Sequence, residues 1–331
     1  MQVKDTATKI PVIDLRPLLS DEPGAYQQTV DSFFHAYSSL GFATIINHGI
    51  SQSIVKAAFD ASRRFHSLPE QSKRLIELNH LHRGYIPINT STDVTTKLAT
   101  VKKPNQSESF MMMREDNEDS PDVQSGAFLA GANQWPELCG FKEAVSSCHD
   151  ALSELGHKLM GIACGAMDAN PADVMPAFEC PTTWFRLLRY PPVPEDPDGD
   201  LFGSAPHTDF GCLTILLQDD TGGLQVMTPV GDWIDVQPLK NAFVVNVGDM
   251  LHRWSNGILK STPHRVINRS GKERYSCPFF FDPHVNTVVT PLNSCITEQR
   301  PKQFTPINFG EFLKSELLAG YEHHKTAKDS R

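Results

Sequence analysis

The sequence predicts an α+β fold, a mainly β core wrapped by α-helices, and three observations carry that expectation. Helical periodicity dominates the residues before about 170, short strand-like runs separated by Gly, Pro, Asn and Asp fill about 180–290, and no internal repeat divides the chain. Such a series of short strands suggests a sandwich or a jelly-roll barrel. With 331 residues, 40% of them hydrophobic and 21% charged, the chain is long enough for one large core. We therefore expect a single domain over 1–331: a mostly helical N-terminal part to about 170, a jelly-roll core over about 180–290, and a C-terminal helix and tail over about 291–331.

The elements follow in order. KIPVIDL reads as a short strand, and Val30, Phe33, Phe34, Tyr37 and Leu40 recur at helical spacing before Gly41 can end that helix. ATIINHGI is β-branched. A second helix is expected from about Ser51 to Phe65, with Ile54, Ala58, Ala61 and Phe65 on one face. Residues from about 81 to 125 are polar and weakly patterned, which predicts a long loop of the kind that covers a site; Met111 to Met113 fit either that cover or local packing. Phe141, Val145, Cys148, Leu152, Leu155, Leu159 and Ile162 mark a long amphipathic helix from Pro136 to about Met167. The strand-like runs are TTWFRLLRY, GCLTILLQ, GLQVMT, WIDVQP, FVVNVGDML, PHRVIN, RYSCPFFF and NTVVTP. Gly222 and Gly223 predict a hairpin turn with Asp219 and Asp220 at its entrance, and NFGEFLKSELL predicts a last helix before a polar tail holding His323 and His324.

Composition narrows the function. A net charge of -9 gives no electrostatic reason to bind nucleic acid or an anionic membrane, so a small molecule is the expected partner. The seven cysteines are scattered and include no Cys-x-x-Cys pair, which favours reduced core thiols over a disulfide framework. The first residues lack a continuous apolar run and no stretch reaches the length of a membrane span, so a cytoplasmic location is expected. Oligomeric state leaves no signature in the sequence.

The chemistry concentrates late in the chain. His207 and Asp209 are one residue apart, so in an extended segment both side chains leave the same face and can grip one ion. His264, in a later strand-like run, offers a third ligand. Two imidazoles and a carboxylate form a facial triad that suits a non-haem Fe(II) oxygenase, and they can also hold catalytic zinc, although no H-E-x-x-H helix is present. Arg274 and Ser276 share a strand face opposite Tyr275, Cys277 and Phe279. An arginine inside an apolar barrel needs an anion: a ligand carboxylate shared with the serine hydroxyl, or a buried acid of the fold. Arg265 is a candidate structural cation. Phe210, Phe279 and Phe281 are candidate substrate-pocket residues, with ordinary core packing as the alternative. Arg186 and Arg189 fall on opposite faces if their strand is regular.

Together His207, Asp209, His264, Arg274 and Ser276 match the H-x-D, H and R-x-S pattern, and the chain resembles the isopenicillin N synthase-like family of Fe(II)/2-oxoglutarate-dependent dioxygenases. IPVIDL, GFATIINHGI, FHSLPEQSK, RGYIP, NQWP, GDWIDVQP and VVNVGDMLHRWSNGILKSTPHRV look like further landmarks in the family's order, so the resemblance spans nearly the whole chain.

The resemblance implies a double-stranded β-helix, or jelly roll, with helices outside and the iron near one open end. His207, Asp209 and His264 would ligate Fe(II), and 2-oxoglutarate would chelate it through the C1 carboxylate and C2 keto oxygen. Arg274, Ser276 and Tyr190 would hold the distal carboxylate. Plant members commonly carry asparagine two residues before this tyrosine; Leu188 stands here, which removes one auxiliary contact. The implied reaction consumes O2, releases succinate and CO2, and hydroxylates, desaturates or cyclises a small organic substrate. RLLRYPPV and QDDTGGL look somewhat like the ethylene-forming group, so an atypical member is the alternative enzyme, as is an isopenicillin N synthase-type oxidase without 2-oxoglutarate. The alternative of another class is a non-catalytic small-molecule-binding barrel.

Overall fold

A computed structural model describes residues 9–91, 103–192 and 201–320. The predicted tail, with His323 and His324, lies outside these residues. The strands are β1 (Val12–Asp14), β2 (Phe42–Ile46), β3 (Gly84–Ile86), β4 (Glu108–Met113), β5 (Thr182–Tyr190), β6 (Ser204–His207), β7 (Leu213–Gln218), β8 (Leu224–Met227), β9 (Trp233–Asp235), β10 (Ala242–Val247), β11 (His264–Val266), β12 (Arg274–Asp282), β13 (Val288–Val289) and β14 (Ile307–Asn308). The helices are α1 (Arg16–Leu19), α2 (Ala25–Ser39), α3 (Gln52–His66), α4 (Glu70–Arg74), α5 (Pro121–Gln124), α6 (Phe141–Ala166), α7 (Asp249–Trp254) and α8 (Phe309–Gly320). None of the described helices is long and apolar enough to cross a membrane.

Two sheets build the core. The larger has eight strands in the order β1-β2-β10-β7-β12-β5-β4-β3, and the smaller has four in the order β6-β11-β8-β9. Apart from the parallel β1–β2 pair, their ladders are antiparallel. Strand alternation then creates two apolar interiors. Between the sheets, Phe42, Leu188, Tyr190, Leu224, Val226, Val244 and Val266 pack together. On the other face of the large sheet, Phe185, Phe279 and Phe281 meet Phe33 and Tyr37 of α2, Phe65 of α3 and Leu152 and Leu159 of α6 in the larger core. Gly156 of α6 sits so near the sheet that a Cβ there would lie 2.6 Å from the Phe281 ring.

The helix expectations hold with small shifts. Ser51 caps α3 by accepting from the Ser53 amide, and Gly41 (φ +76°) follows α2. Phe34 points to solvent instead of joining the core, and α6 begins at Phe141, after Gly140, not at Pro136. Two expectations fail more instructively. The segment predicted to be a polar loop contains β3 and β4, and β4 is buried along its whole length. Its alternation is hidden because Glu108 and Ser109 are buried polar residues with partners, Lys73 at 2.6 Å and Arg186 at 2.8 Å. Gly222 and Gly223, with φ of +82° and +89°, do not close a hairpin: β7 lies in the large sheet and β8 in the small one, so the turn carries the chain between sheets. β6 escaped the sequence reading because it is four residues long and contains Pro206. All seven cysteines are free, but Cys139 and Cys180 are exposed and are not core thiols.

Candidate active site

The site is built where the two sheets open. His207 ends β6 and pairs across the ladder with His264, the first residue of β11. Asp209 follows in the β6–β7 connection. One ligand atom from each of the three lies within 4.8 Å of the others. His207 Nε2 and His264 Nε2 stand 3.6 and 3.7 Å from Asp209 Oδ1. Both rings are oriented from behind: His207 Nδ1 bonds the Ala205 carbonyl at 2.7 Å and His264 Nδ1 the Thr262 carbonyl at 3.3 Å. A backbone carbonyl accepts only from a protonated Nδ1, so in the neutral ring it is Nε2 that offers its lone pair to a metal. The second Asp209 oxygen, Oδ2, accepts from Asn246 at 2.7 Å and from Thr214, leaving Oδ1 to face the imidazoles. Burial opposes ionisation of Asp209, but His264, His207 and the two donors hold its carboxyl below the ordinary range. These are the features of a preorganised three-ligand metal site, and the donor set fits Fe(II).

The loop bearing Asp209 is clamped. Asp249 and Met250 donate their amides to the carbonyls of Asp209 and Gly211, both at 2.8 Å, and Cys212 donates its amide to Asp282 at 2.7 Å. Only glycine fits at 211, since a Cβ would lie 1.6 Å from the Asp282 carboxylate. Burial pushes the Asp282 carboxyl up to about 8.

Arg274, the first residue of β12, is fully buried and pairs in register with Tyr190 of β5. Its Nε donates to the Gly222 carbonyl at 2.6 Å, Nη1 to Ser276 Oγ at 3.1 Å, and Nη2 to Gln218 at 3.3 Å. Its guanidinium lies 4.7 Å from the Tyr190 ring centre, and the Ser276 and Tyr190 hydroxyls are 3.4 Å apart. Among the described residues no carboxylate pairs with Arg274, so the alternative of a structural acid partner does not hold. Arg265 is the structural cation expected: it donates to Gln225 at 2.8 Å and sits 4.1 Å over Trp233.

Arg274, Ser276, Tyr190 and the three candidate ligands all line one inner cavity of about 550 Å³. An outer cavity of about 730 Å³ shares His207, Asp209, Arg186, Ser204 and Phe280 with it and adds Phe210, Trp184 and Leu313. Phe210 thus lines the cavity as expected. Phe279 and Phe281 do not. They face the helices, with Phe279 against His149 and Phe281 against His157 at ring separations of 5.3 and 4.8 Å, and Phe280 takes the cavity position. The reason is parity: Arg274 and Ser276 point inward, so even-numbered residues of this strand do too. β5 is regular against β12, which separates Arg186, in the cavity, from Arg189, paired with Glu108 at 2.7 Å on the helix side. Sequence reasoning missed Thr214, Asn246 and Asp282; their signal was a polar residue inside an apolar strand.

Comparison with known proteins agrees with this geometry. Residues 182–283 match the model of the 2OG-Fe(II) oxygenase superfamily, and residues 10–138 match that described as non-haem dioxygenase in morphine synthesis N-terminal. The 2-oxoglutarate-Fe(II) type oxidoreductase hxnY of Emericella nidulans is 33% identical over 95% of this chain and 91% of its own. The 2-oxoglutarate-dependent dioxygenase citB of Monascus ruber is 36% identical over 86% and 88%. Among solved structures, a full-length Neurospora crassa protein in complex with alpha-KG and thymine superposes with a TM-score of 0.81 at 27% identity, covering 96% of this chain and 98% of that one. JOX2 in complex with 2OG, Fe and JA gives 0.75 at 26%, covering 96% and 89%. The chain belongs to the 2OG-Fe(II) oxygenase superfamily. It is an oxidoreductase that uses Fe(II), 2-oxoglutarate and O2 on a small organic substrate, with the double-stranded β-helix core of that family.

Proposed function

We propose that His207, Asp209 and His264 ligate the Fe(II), that Arg274, Ser276 and Tyr190 receive the distal carboxylate of 2-oxoglutarate, and that the organic substrate sits in the outer cavity against Phe210 and Phe280. Bound iron supplies the activation of O2 that is coupled to conversion of 2-oxoglutarate into succinate and CO2. The chain supplies placement. Arg274 holds the cosubstrate carboxylate by charge-assisted hydrogen bonds in a water-poor interior, and the Ser276 and Tyr190 hydroxyls complete that grip. The apolar wall of Leu188, Leu216, Leu224 and Val266 keeps water from the inner cavity. The observation that carries this reading is a fully buried guanidinium, free of any described carboxylate, in the same cavity as three converging metal ligands. The net charge of -9 and the seven unpaired cysteines support a cytoplasmic enzyme that engages neither nucleic acid nor membrane.

The test is anaerobic addition of Fe(II) and 2-oxoglutarate, read by the visible charge-transfer band of the chelate. Wild type develops the band and His207→Ala does not. Arg274→Ala needs about 10–100-fold more 2-oxoglutarate to reach half-saturation, the worth of a desolvated charged hydrogen bond. A band of undiminished intensity in His207→Ala overturns the assignment.

A further inference from the structure

Arg186 is a second cation in the cavity, and neither iron nor 2-oxoglutarate gives it a task. Strand parity places it on the inner face of β5, between Trp184 and Leu188 and opposite Met111 of β4. Its Nε donates to the buried Ser109 Oγ at 2.8 Å, which fixes the plane of the guanidinium. Among the described residues no carboxylate pairs with it, in contrast to Arg189, three residues on, which binds both Glu108 and Glu273. Arg186 lines the inner and the outer cavity, at their junction beside His207 and Asp209.

The cosubstrate does not account for it. Arg186 lies four residues along β5 from Tyr190, about 13 Å from the distal-carboxylate group at the rise of an antiparallel strand, and its neighbours Met111 and Trp184 line the outer cavity alone. The wall is largely apolar, with Phe210 and with Leu313 and Leu317 from α8, and its uncharged polar members are Ser204, His207 and Thr208. Apart from Asp209, its one acid is Asp282, occupied by the Cys212 amide and favoured in its neutral form by burial. A single oriented guanidinium set among aromatic and aliphatic side chains favours a ligand with one anionic group on an apolar body.

We infer that the primary substrate is a hydrophobic carboxylate, with its carboxylate held by the Nη1 and Nη2 groups of Arg186 and its apolar body lying against Trp184, Phe210 and Phe280. This rests on the iron and 2-oxoglutarate assignment made above. Arg186 is thereby the residue that sets substrate class, separate from the cation that binds the cosubstrate.

The experiment uses the full-length protein loaded with Fe(II) and 2-oxoglutarate under argon. Phenylacetate, 3-phenylpropanoate and 4-phenylbutanoate are titrated alongside their primary amides, which match them in shape and lack the charge. Binding is read as perturbation of the charge-transfer band and quenching of tryptophan fluorescence. At least one acid is expected to bind wild type about tenfold or more tighter than its amide. Arg186→Gln should remove that preference while keeping the band and its 2-oxoglutarate dependence, and Arg186→Lys should restore part of it. The inference is overturned if no acid outbinds its amide, or if the preference survives in Arg186→Gln. It is also overturned if that variant loses 2-oxoglutarate affinity in place of acid affinity. Failure to form the band at all strikes the iron and cosubstrate assignment instead, so the two failures are distinct.

Discussion

The two faces of β12 divide the labour of the molecule between alternate residues. Arg274, Ser276, Pro278, Phe280 and Asp282 line the cavities, whereas Tyr275, Cys277, Phe279 and Phe281 face α3 and α6. The inward face is polar at intervals and leaves space; the outward face is apolar and close-packed. Cys277 and Phe279 are fully buried, and Tyr275 lies under Arg63 of α3, 5.4 Å from ring centre to guanidinium carbon. The lesson is that one strand carries chemistry and stability at the same time without conflict, because a period of two keeps them on opposite sides.

Substitutions on the two faces should separate these roles. The largest effect is expected from Phe281→Ala, which empties a site filled against Gly156, His157 and Phe178 and should cost about 4 kcal/mol of unfolding free energy. Its neighbour Phe280→Ala should leave stability nearly intact and instead weaken substrate binding. Denaturant titration beside substrate-stimulated succinate release measures both, and equal stability losses for the pair would break the comparison.

Next comes the ionic cluster on the helix side. Glu108 accepts from Lys73 at 2.6 Å, from Arg189 at 2.7 Å and from the Tyr85 hydroxyl, and stands 3.6 Å from His66. Burial opposes its ionisation, but His66, Lys73 and Tyr85 hold its carboxyl far below the ordinary 4.5. Glu108→Gln strands Lys73, leaves Arg189 with Glu273 alone, and should cost about 3 kcal/mol at neutral pH. Because the folded-state value is depressed, this stabilisation is complete above the unfolded-state value and is lost as pH falls below it. The stability gap between wild type and Glu108→Gln should therefore shrink on acidification below about 4.5; a constant gap would contradict the assignment.

The smallest effect tests the inner face away from the ligands themselves. Asn246→Ala removes one donor from Asp209 Oδ2 and should weaken Fe(II) binding by about 10–100-fold, with a minor change in melting temperature. Metal titration followed by the chelate band reads it directly.

The convergence of these side chains was legible in the sequence for a physical reason: histidines, a carboxylate and an arginine are costly to bury where they serve no purpose, so His207, Asp209, His264 and Arg274 stand out from their apolar strands. Parity of β12 already assigned Phe279 to the face opposite Arg274, and the aromatic residue beside the cavity is the even-numbered Phe280. What stayed hidden depends on contacts made across long separations. β4 is invisible because its buried glutamate and serine answer to Lys73 and Arg186, residues the local pattern does not include. The lone status of Arg186, against the paired Arg189, needed the register of three strands to appear.

The outer cavity draws its walls from three separate stretches of chain. Its iron-side surface comes from residues within 182–283, but Met111 is supplied from the N-terminal half, and Leu313 and Leu317 by the last described helix. Selectivity is thus shared between the central stretch, which brings Arg186, Trp184, Phe210 and Phe280 beside the candidate metal ligands, and the two flanking pieces. A chimera that keeps the central stretch and borrows the two flanking pieces from a relative would keep Arg186 and its demand for an anionic group, and alter only the apolar body that the cavity admits.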